Sequence, residues 1–172
     1  MEFRWSERTF TVRGQAVTHR FLRLGAVAAV LARDGAGRVL LVRQYRAAVD
    51  RRTLEVPAGF AEPGESPQAA AARELEEETG YRARTLEPVL SFWPVPGYST
   101  ERLHLFAASD LERTATRFDP GEDIALELLD DGACEAAVRS GEICDAKTLV
   151  ALMAARLGWR GRAGEGPESV RP

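Results

Sequence analysis

The sequence predicts an α/β fold, a sandwich in which mixed strands and helices pack as layers. Three observations predict it. Strand-like segments alternate with helical segments and are then followed by them, the pattern of layered α/β domains. The run "GAVAAVLAR" (residues 25–33) is almost continuously apolar, which suits a strand buried on both faces. Between Ser66 and Gly80 lies a complete helix signature: an N-capping serine, proline at the first helical position and a terminating glycine.

The elements follow in chain order. "RTFTVRG" and "AVTHRFLRL" alternate as two N-terminal strands, read as a hairpin turned at Gly14. "DGAGR" is a turn between the buried run and the next strand, "VLLVRQYR". "RTLEVPAG" is short and extended, since Pro57 argues against helix. A glycine-rich loop, "GFAEPGE", leads into the capped helix, which is expected to end near Thr79. "RTLEPVLSFWPVP" and "ERLHLFAAS" are two further strands around a Pro/Gly loop, "PVPGYST". "TATRFDPGED" is a polar loop, and "IALELL" another strand. "ACEAAVRSGE" and "AKTLVALMAARLG" read as helices, the second capped by Asp145. The final "RGRAGEGPESVRP" is Gly, Pro and charge, the composition of a disordered tail.

A chain of 172 residues suffices for one domain with one sizeable core. Its net charge of −3 gives no basis for general nucleic-acid binding. No apolar run approaches the roughly 20 residues that span a bilayer. "MEFRWSERTF" lacks the basic and apolar regions of a signal peptide, so cytoplasm is the expected compartment. Cys134 and Cys144 are the only cysteines; two do not make a four-ligand zinc site, and both read as small packing residues.

One stretch stands out. "RELEEETG" places Glu74, Glu76, Glu77 and Glu78 within one helical segment. Like charges one turn apart cost a helix roughly 0.2–0.5 kcal/mol per pair. With Glu74 at zero on a helical wheel, Glu78 falls at about 40° and Glu77 at about −60°. These three share a face, and Glu76 points away as a solvated residue. Ala70 and Ala71, one turn earlier, are expected to leave that face open, with Ala72 and Leu75 toward the core. Arg73 lies one turn before Glu77 and is a natural ion partner. Carboxylates gathered on one face either remain solvated or hold a hard divalent cation. Glu65 in the preceding loop adds a fourth carboxylate, and Gly59 and Gly64 let backbone approach a ligand. No Ser, Cys or His nucleophile stands in the motif. Metal-assisted attack of water on a phosphate therefore fits it best.

The segment "GFAEPGESPQAAAARELEEETGY" resembles the Nudix box. The matching residues are Gly59, Glu65, Arg73, Glu74, Leu75, Glu77, Glu78 and Gly80, each at the family's spacing. Tyr81 replaces the usual aliphatic residue in a packing position. The resemblance implies a Nudix-type α/β/α sandwich with a mixed sheet. It also implies hydrolysis of a nucleoside diphosphate linked to a further group. Glu74, Glu77 and Glu78 carry over as metal ligands, and the Ala58 carbonyl as another. Glu65 carries over as a ligand or metal-water partner, and Arg73 as the residue that orients the glutamates. Magnesium is the implied cofactor, with manganese or another divalent cation as alternatives.

"VRQYR", "LEVPAG", "PGYSTERLHLF" and "GEICDAKTLVAL" look like the ADP-ribose pyrophosphatase branch of that family, as does Pro96, sixteen residues beyond Gly80. This likeness implies an N-terminal strand element (1–22) that dimerises and helps bind substrate, a hydrolase domain (23–159) and a tail (160–172). It implies a homodimer acting on a small nucleotide sugar: ADP-ribose first, or another nucleoside diphosphate sugar such as GDP-mannose. A non-catalytic nucleotide sensor is the reading from another class.

The substrate side draws on Arg43, Arg46, Glu55, Gly59, Pro96, Glu101, Arg102 and Trp5. Gln44 and Tyr45 stand between the two arginines. Arg46 reads either as a bidentate phosphate or carboxylate holder or as a surface ion pair. Glu101 and Arg102 follow the loop that shapes the sugar side in the resembling branch. Trp5 and Phe10 suit base stacking or packing. His19 and His104 read as packing histidines. A proton acceptor for the attacking water is expected from Glu122 in "DPGED", with Asp123 and Glu127 as rivals.

Overall fold

The computed structural model describes residues 4–114 and 123–159. The loop that carries Glu122 and the C-terminal tail lie outside them. The first two strands, β1 (Arg4–Val12) and β2 (Gln15–Arg23), form an antiparallel hairpin. Its two-residue turn is Arg13–Gly14, both with positive φ (49° and 79°), the mirror-image turn that matches strand twist. This hairpin is a sheet of its own, exposed over most of both strands. It joins the body where Leu22 donates to the Tyr98 carbonyl (2.8 Å) and accepts from the Thr100 amide (3.0 Å).

The body has two sheets. One runs β6 (Ala58–Phe60), β3 (Ala26–Ala32), β8 (Arg102–Arg113), β7 (Tyr81–Phe92); the other runs β5 (Arg51–Glu55), β4 (Val39–Arg46), β9 (Ile124–Leu129). β3 and β8 pair in parallel and every other strand pairing within these two sheets is antiparallel, so only the first sheet is mixed. The break between β5 and β6 falls at Val56–Pro57. Proline has no N–H for the ladder, and its carbonyl instead accepts from the Val30 amide at 2.9 Å.

β3 shows the layering. Val27, Ala29 and Leu31 pack against Cys134 and Ala137 of α2 (Asp131–Ser140) and Ala151 and Ala154 of α3 (Ala146–Arg156). Ala28, Val30 and Ala32 pack against Ala70, Ala71 and Leu75 of α1 (Pro67–Thr79). Successive side chains of a strand point to opposite faces, so one strand serves two cores and helices cover both sides. The expected α/β/α sandwich is what forms. The expected caps form: Ser66 accepts from the Ala69 amide and Asp145 from Thr148, and Gly80 closes α1 in the left-handed region; Asp130, not singled out from the sequence, caps α2 by accepting from the Ala133 amide. Among the described residues no helix is long and apolar enough to cross a membrane.

Three expectations about α1 are corrected. Ala70 and Ala71 are fully buried against the sheet rather than opening the glutamate face, and Ala72 is exposed rather than facing the core. The buried stripe is Ala70, Ala71, Leu75, Glu78 and Thr79. Its centre lies between Glu78 and Leu75 on the wheel, so the core claims half of what looked like the carboxylate face. Glu76, expected to be solvated, instead makes a bidentate pair with Arg82 (2.8 and 3.0 Å).

Candidate active site

Arg73 is the centre of the site. Its Nε and Nη2 grip both oxygens of Glu65 at 3.1 Å. Nη1 donates to Glu74 at 2.6 Å and Glu77 at 3.1 Å. Nη2 also donates to the Phe60 carbonyl at 3.0 Å. A guanidinium has five N–H groups in one plane, and all of them are engaged. Three carboxylates, one from the loop and two from α1, and a backbone carbonyl at the end of β6 therefore converge on one cation. Hydrogen bonding to Glu65 is the main cause that raises the Arg73 pKa further above its usual range. The same bond, with the Glu62 amide behind it, holds the Glu65 carboxyl below the usual range.

Glu78 is placed differently. It is buried, and its Oε2 accepts from the Ala58 amide at 3.1 Å. Glu74 is pressed against the backbone of β6: a Cβ on Gly59 would lie 2.0 Å from Glu74 Oε1. Only glycine lets that carboxylate lie on the strand. The sequence-predicted Ala58, Gly59, Glu65, Arg73, Glu74, Glu77 and Glu78 are thus brought together by one short strand, one loop and one helix.

A second charged cluster adjoins the first. Glu55, only 2% exposed, accepts from Arg46 through Nε (2.9 Å) and Nη2 (2.7 Å). The Thr53 hydroxyl (2.5 Å) and the Lys147 ammonium also donate to it. Lys147 reaches on to Asp145, the cap of α3, at 2.9 Å. Burial alone would push the Glu55 carboxyl up; the Arg46 bonds, the Lys147 charge and Thr53 overcome this and hold it at about 2. The Arg46 pKa is raised, chiefly by its Glu55 bond against the opposing effect of burial, with the negative charges of Glu78 and Asp145 adding to it.

The remaining residues are more scattered. Arg43 is committed to Glu127 (2.5 Å) and Glu142 (2.7 Å). Asp123 pairs with Arg52. Glu101 is half-buried, and burial raises its pKa against the opposing charge of Lys147. Arg102 lies over the Trp93 ring at 5.7 Å. Pro96 sits in the loop whose neighbours Tyr98 and Thr100 anchor the hairpin. Trp5 is 61% exposed on the hairpin, with Arg20 over its ring at 5.5 Å. His104 bonds Ser91 across the sheet (2.8 Å), a packing role as expected. The sequence reading missed Lys147 and Thr53. "DAKT" offered a lysine two residues after a cap, but only the fold carries it to Glu55, 92 positions away.

Carboxylates marshalled by one arginine on a helix behind a glycine-bearing strand define a class, and comparison with known proteins agrees. The family model described as the NUDIX domain matches residues 22–142. The ADP-ribose pyrophosphatase of Bacillus subtilis is 36% identical over 141 residues, covering 81% of this chain and 76% of that protein. The methanol dehydrogenase activator of Bacillus methanolicus is 34% identical with the same coverage, and the GDP-mannose pyrophosphatase of Cronobacter sakazakii 34% identical over 81% and 78%. A crystal structure of an ADP compounds hydrolase superposes with a TM-score of 0.77 at 19% identity, covering 92% of this chain and 94% of that one, which supports the fold. The chain belongs to the Nudix family. It is a Nudix hydrolase that resembles the ADP-ribose pyrophosphatases.

Two consequences can be measured. Gly59→Ala drives a methyl group into the Glu74 carboxylate, which can swing away but only by leaving Arg73. Hydrolysis is expected to fall by ~10²-fold, the cost of displacing a reacting group by about 1 Å, while the melting temperature stays near wild type. Glu55 gives a pH signature. Its folded pKa of about 2 lies below the ordinary 4.5, so its contribution is full above 4.5 and is lost as pH falls toward 2. Urea unfolding across that window should show the wild type losing stability more steeply than Glu55→Gln, which is less stable than wild type above pH 4.5, with the gap narrowing as pH falls toward 2.

Proposed function

We propose that this protein hydrolyses the pyrophosphate bond of ADP-ribose to AMP and ribose 5-phosphate, using a divalent cation. The observation that carries the reading is the gathering of Glu65, Glu74 and Glu77 on Arg73, beside Glu78 and the bare Gly59 backbone. Four carboxylates against one guanidinium leave a formal charge of −3, and hard oxygen donors of that kind fit magnesium or manganese. Among the described residues no three acidic, His or Cys side chains stand already converged as a metal cluster, because three of the four glutamates are turned to Arg73. Glu74, Glu77, Glu78 and the Ala58 carbonyl would hold the cation, with Glu65 beside it. When bound, a divalent cation neutralises charge developing on the phosphates and lowers the pKa of water.

The protein's own groups supply the rest. Arg73 keeps the glutamates at fixed separations, which limits reorganisation during reaction. The side chain of Arg46 is 42% exposed, so it can meet a phosphate oxygen while gripping Glu55. Of the carboxylates considered for accepting the water's proton, Asp123 and Glu127 are tied to arginines, and Glu122 lies outside the described residues. Glu122 remains the proposed acceptor. Trp5, Phe10 and Val12, all exposed on the hairpin, support a homodimer in which that hairpin meets a second copy.

The GDP-mannose pyrophosphatase relative supports a second reading, with GDP-mannose as substrate. A magnesium-dependent screen of nucleotide sugars and dinucleotides with product identification separates these. Release of AMP from ADP-ribose at the highest kcat/KM supports the first reading, and preference for GDP-mannose the second. Binding without turnover of any candidate would make the protein a sensor. In the active enzyme, Glu77→Gln and Glu78→Gln are each expected to lower kcat by at least ~10²-fold. Glutamine preserves shape at both positions, so circular dichroism and melting should stay near wild type.

A further inference from the structure

Lys147 is a lysine with only 12% of its side chain exposed, in a part of the molecule that the box chemistry does not touch directly. Lysines are rarely buried unless paired. This one is paired twice, to Glu55 and to Asp145. Glu55 is also held by Arg46, whose fork uses Nε on Oε1 and Nη2 on Oε2, the oxygen that Lys147 shares, and leaves Nη1 outside it. The four groups Arg46, Lys147, Glu55 and Asp145 cancel, two cations against two anions. Without Lys147 the cluster carries a net −1, while the negative charge of Glu78 of the box acts on Arg46, and half-buried Glu101 loses the positive charge of Lys147. An anionic diphosphate approaching Arg46 would then meet a guanidinium already committed to a buried carboxylate.

We propose that Lys147 is a positioning residue for the anionic substrate: from the α3 side its ammonium neutralises Glu55, so that Arg46 presents its charge toward a diphosphate at the box. The identity of that anion rests on the function proposed above. Lys147 itself touches no reacting atom. It acts through Glu55 on Arg46, and so on binding more than on the chemical step. The strongly ionised state of Glu55 agrees with two cations sharing it.

The test uses the full chain with Lys147→Met, Lys147→Gln, Lys147→Arg, Arg46→Met and the double variant Arg46→Met/Lys147→Met. Two quantities are read: kcat and KM for ADP-ribose with magnesium, and the Kd for ADP-ribose by calorimetry with chelator present. Loss of the ammonium should raise KM and the metal-free Kd by ~10-fold or more, with kcat within ~3-fold of wild type. Lys147→Arg should restore both to within ~3-fold, because the charge returns. In the double variant, losing Lys147 should add less than ~3-fold to the effect of losing Arg46, since both act through one charge. A merely structural lysine predicts a lower melting temperature with unchanged KM and Kd well below it, or losses that multiply in the double variant; either overturns the proposal. If Lys147→Met does not fold, the same readings are taken from Lys147→Gln and decide in the same way. If the wild type cleaves no nucleotide sugar, the functional reading fails by itself. Binding of inorganic pyrophosphate then decides this inference: ~10-fold weaker binding without the ammonium supports it, and equal affinity overturns it.

Discussion

The site depends on one guanidinium with all of its N–H groups engaged. Arg73 holds Glu65 bidentately, Glu74 and Glu77 through a single nitrogen, and the Phe60 carbonyl. Carboxylates this close repel, and a lysine could not replace the arginine here, because an ammonium lacks the planar array of donors. The array fixes where each carboxylate stands relative to loop and strand. It answers why so many acids are tolerated in one helix.

That arrangement depends on how α1 is seated. Ala70, Ala71 and Leu75 press the helix onto β3, and alanines at the contact let it lie close. Close seating brings Glu78 under the edge of the sheet, where the Ala58 amide meets it, and lays Glu74 on Gly59. Packing and site are therefore one construction: the small residues that fill the second core also set the height of the carboxylates above the strand.

Burial of charge marks the neighbouring cluster. An ionised carboxylate almost out of water is costly unless paired and hydrogen-bonded. Glu55 meets that condition with a forked arginine, a lysine and a hydroxyl drawn from three elements. Through Arg46 this cluster touches the box electrostatically, and through Asp145 it ends at the cap of α3.

By itself the sequence determined the parts that rest on local chemistry. Caps at Ser66, Asp145 and Gly80, the turn at Gly14 and the doubly buried β3 were legible because propensity and periodicity act over a few residues. The spacing of Glu65, Arg73, Glu74, Glu77 and Glu78 was legible because a helix maps spacing onto direction. Tertiary structure decided what a wheel cannot hold: which side of α1 the sheet would cover. That choice buried Ala70, Ala71 and Glu78, left Ala72 in water and gave Glu76 to Arg82. It also divided the strands into two sheets at Val56–Pro57, where a missing N–H interrupts the ladder. Long-range charge pairing was likewise invisible beforehand. Lys147 and Glu55 lie far apart in the chain and meet only because α3 packs against the core that β3 and β5 share, where a buried carboxylate needs a second cation.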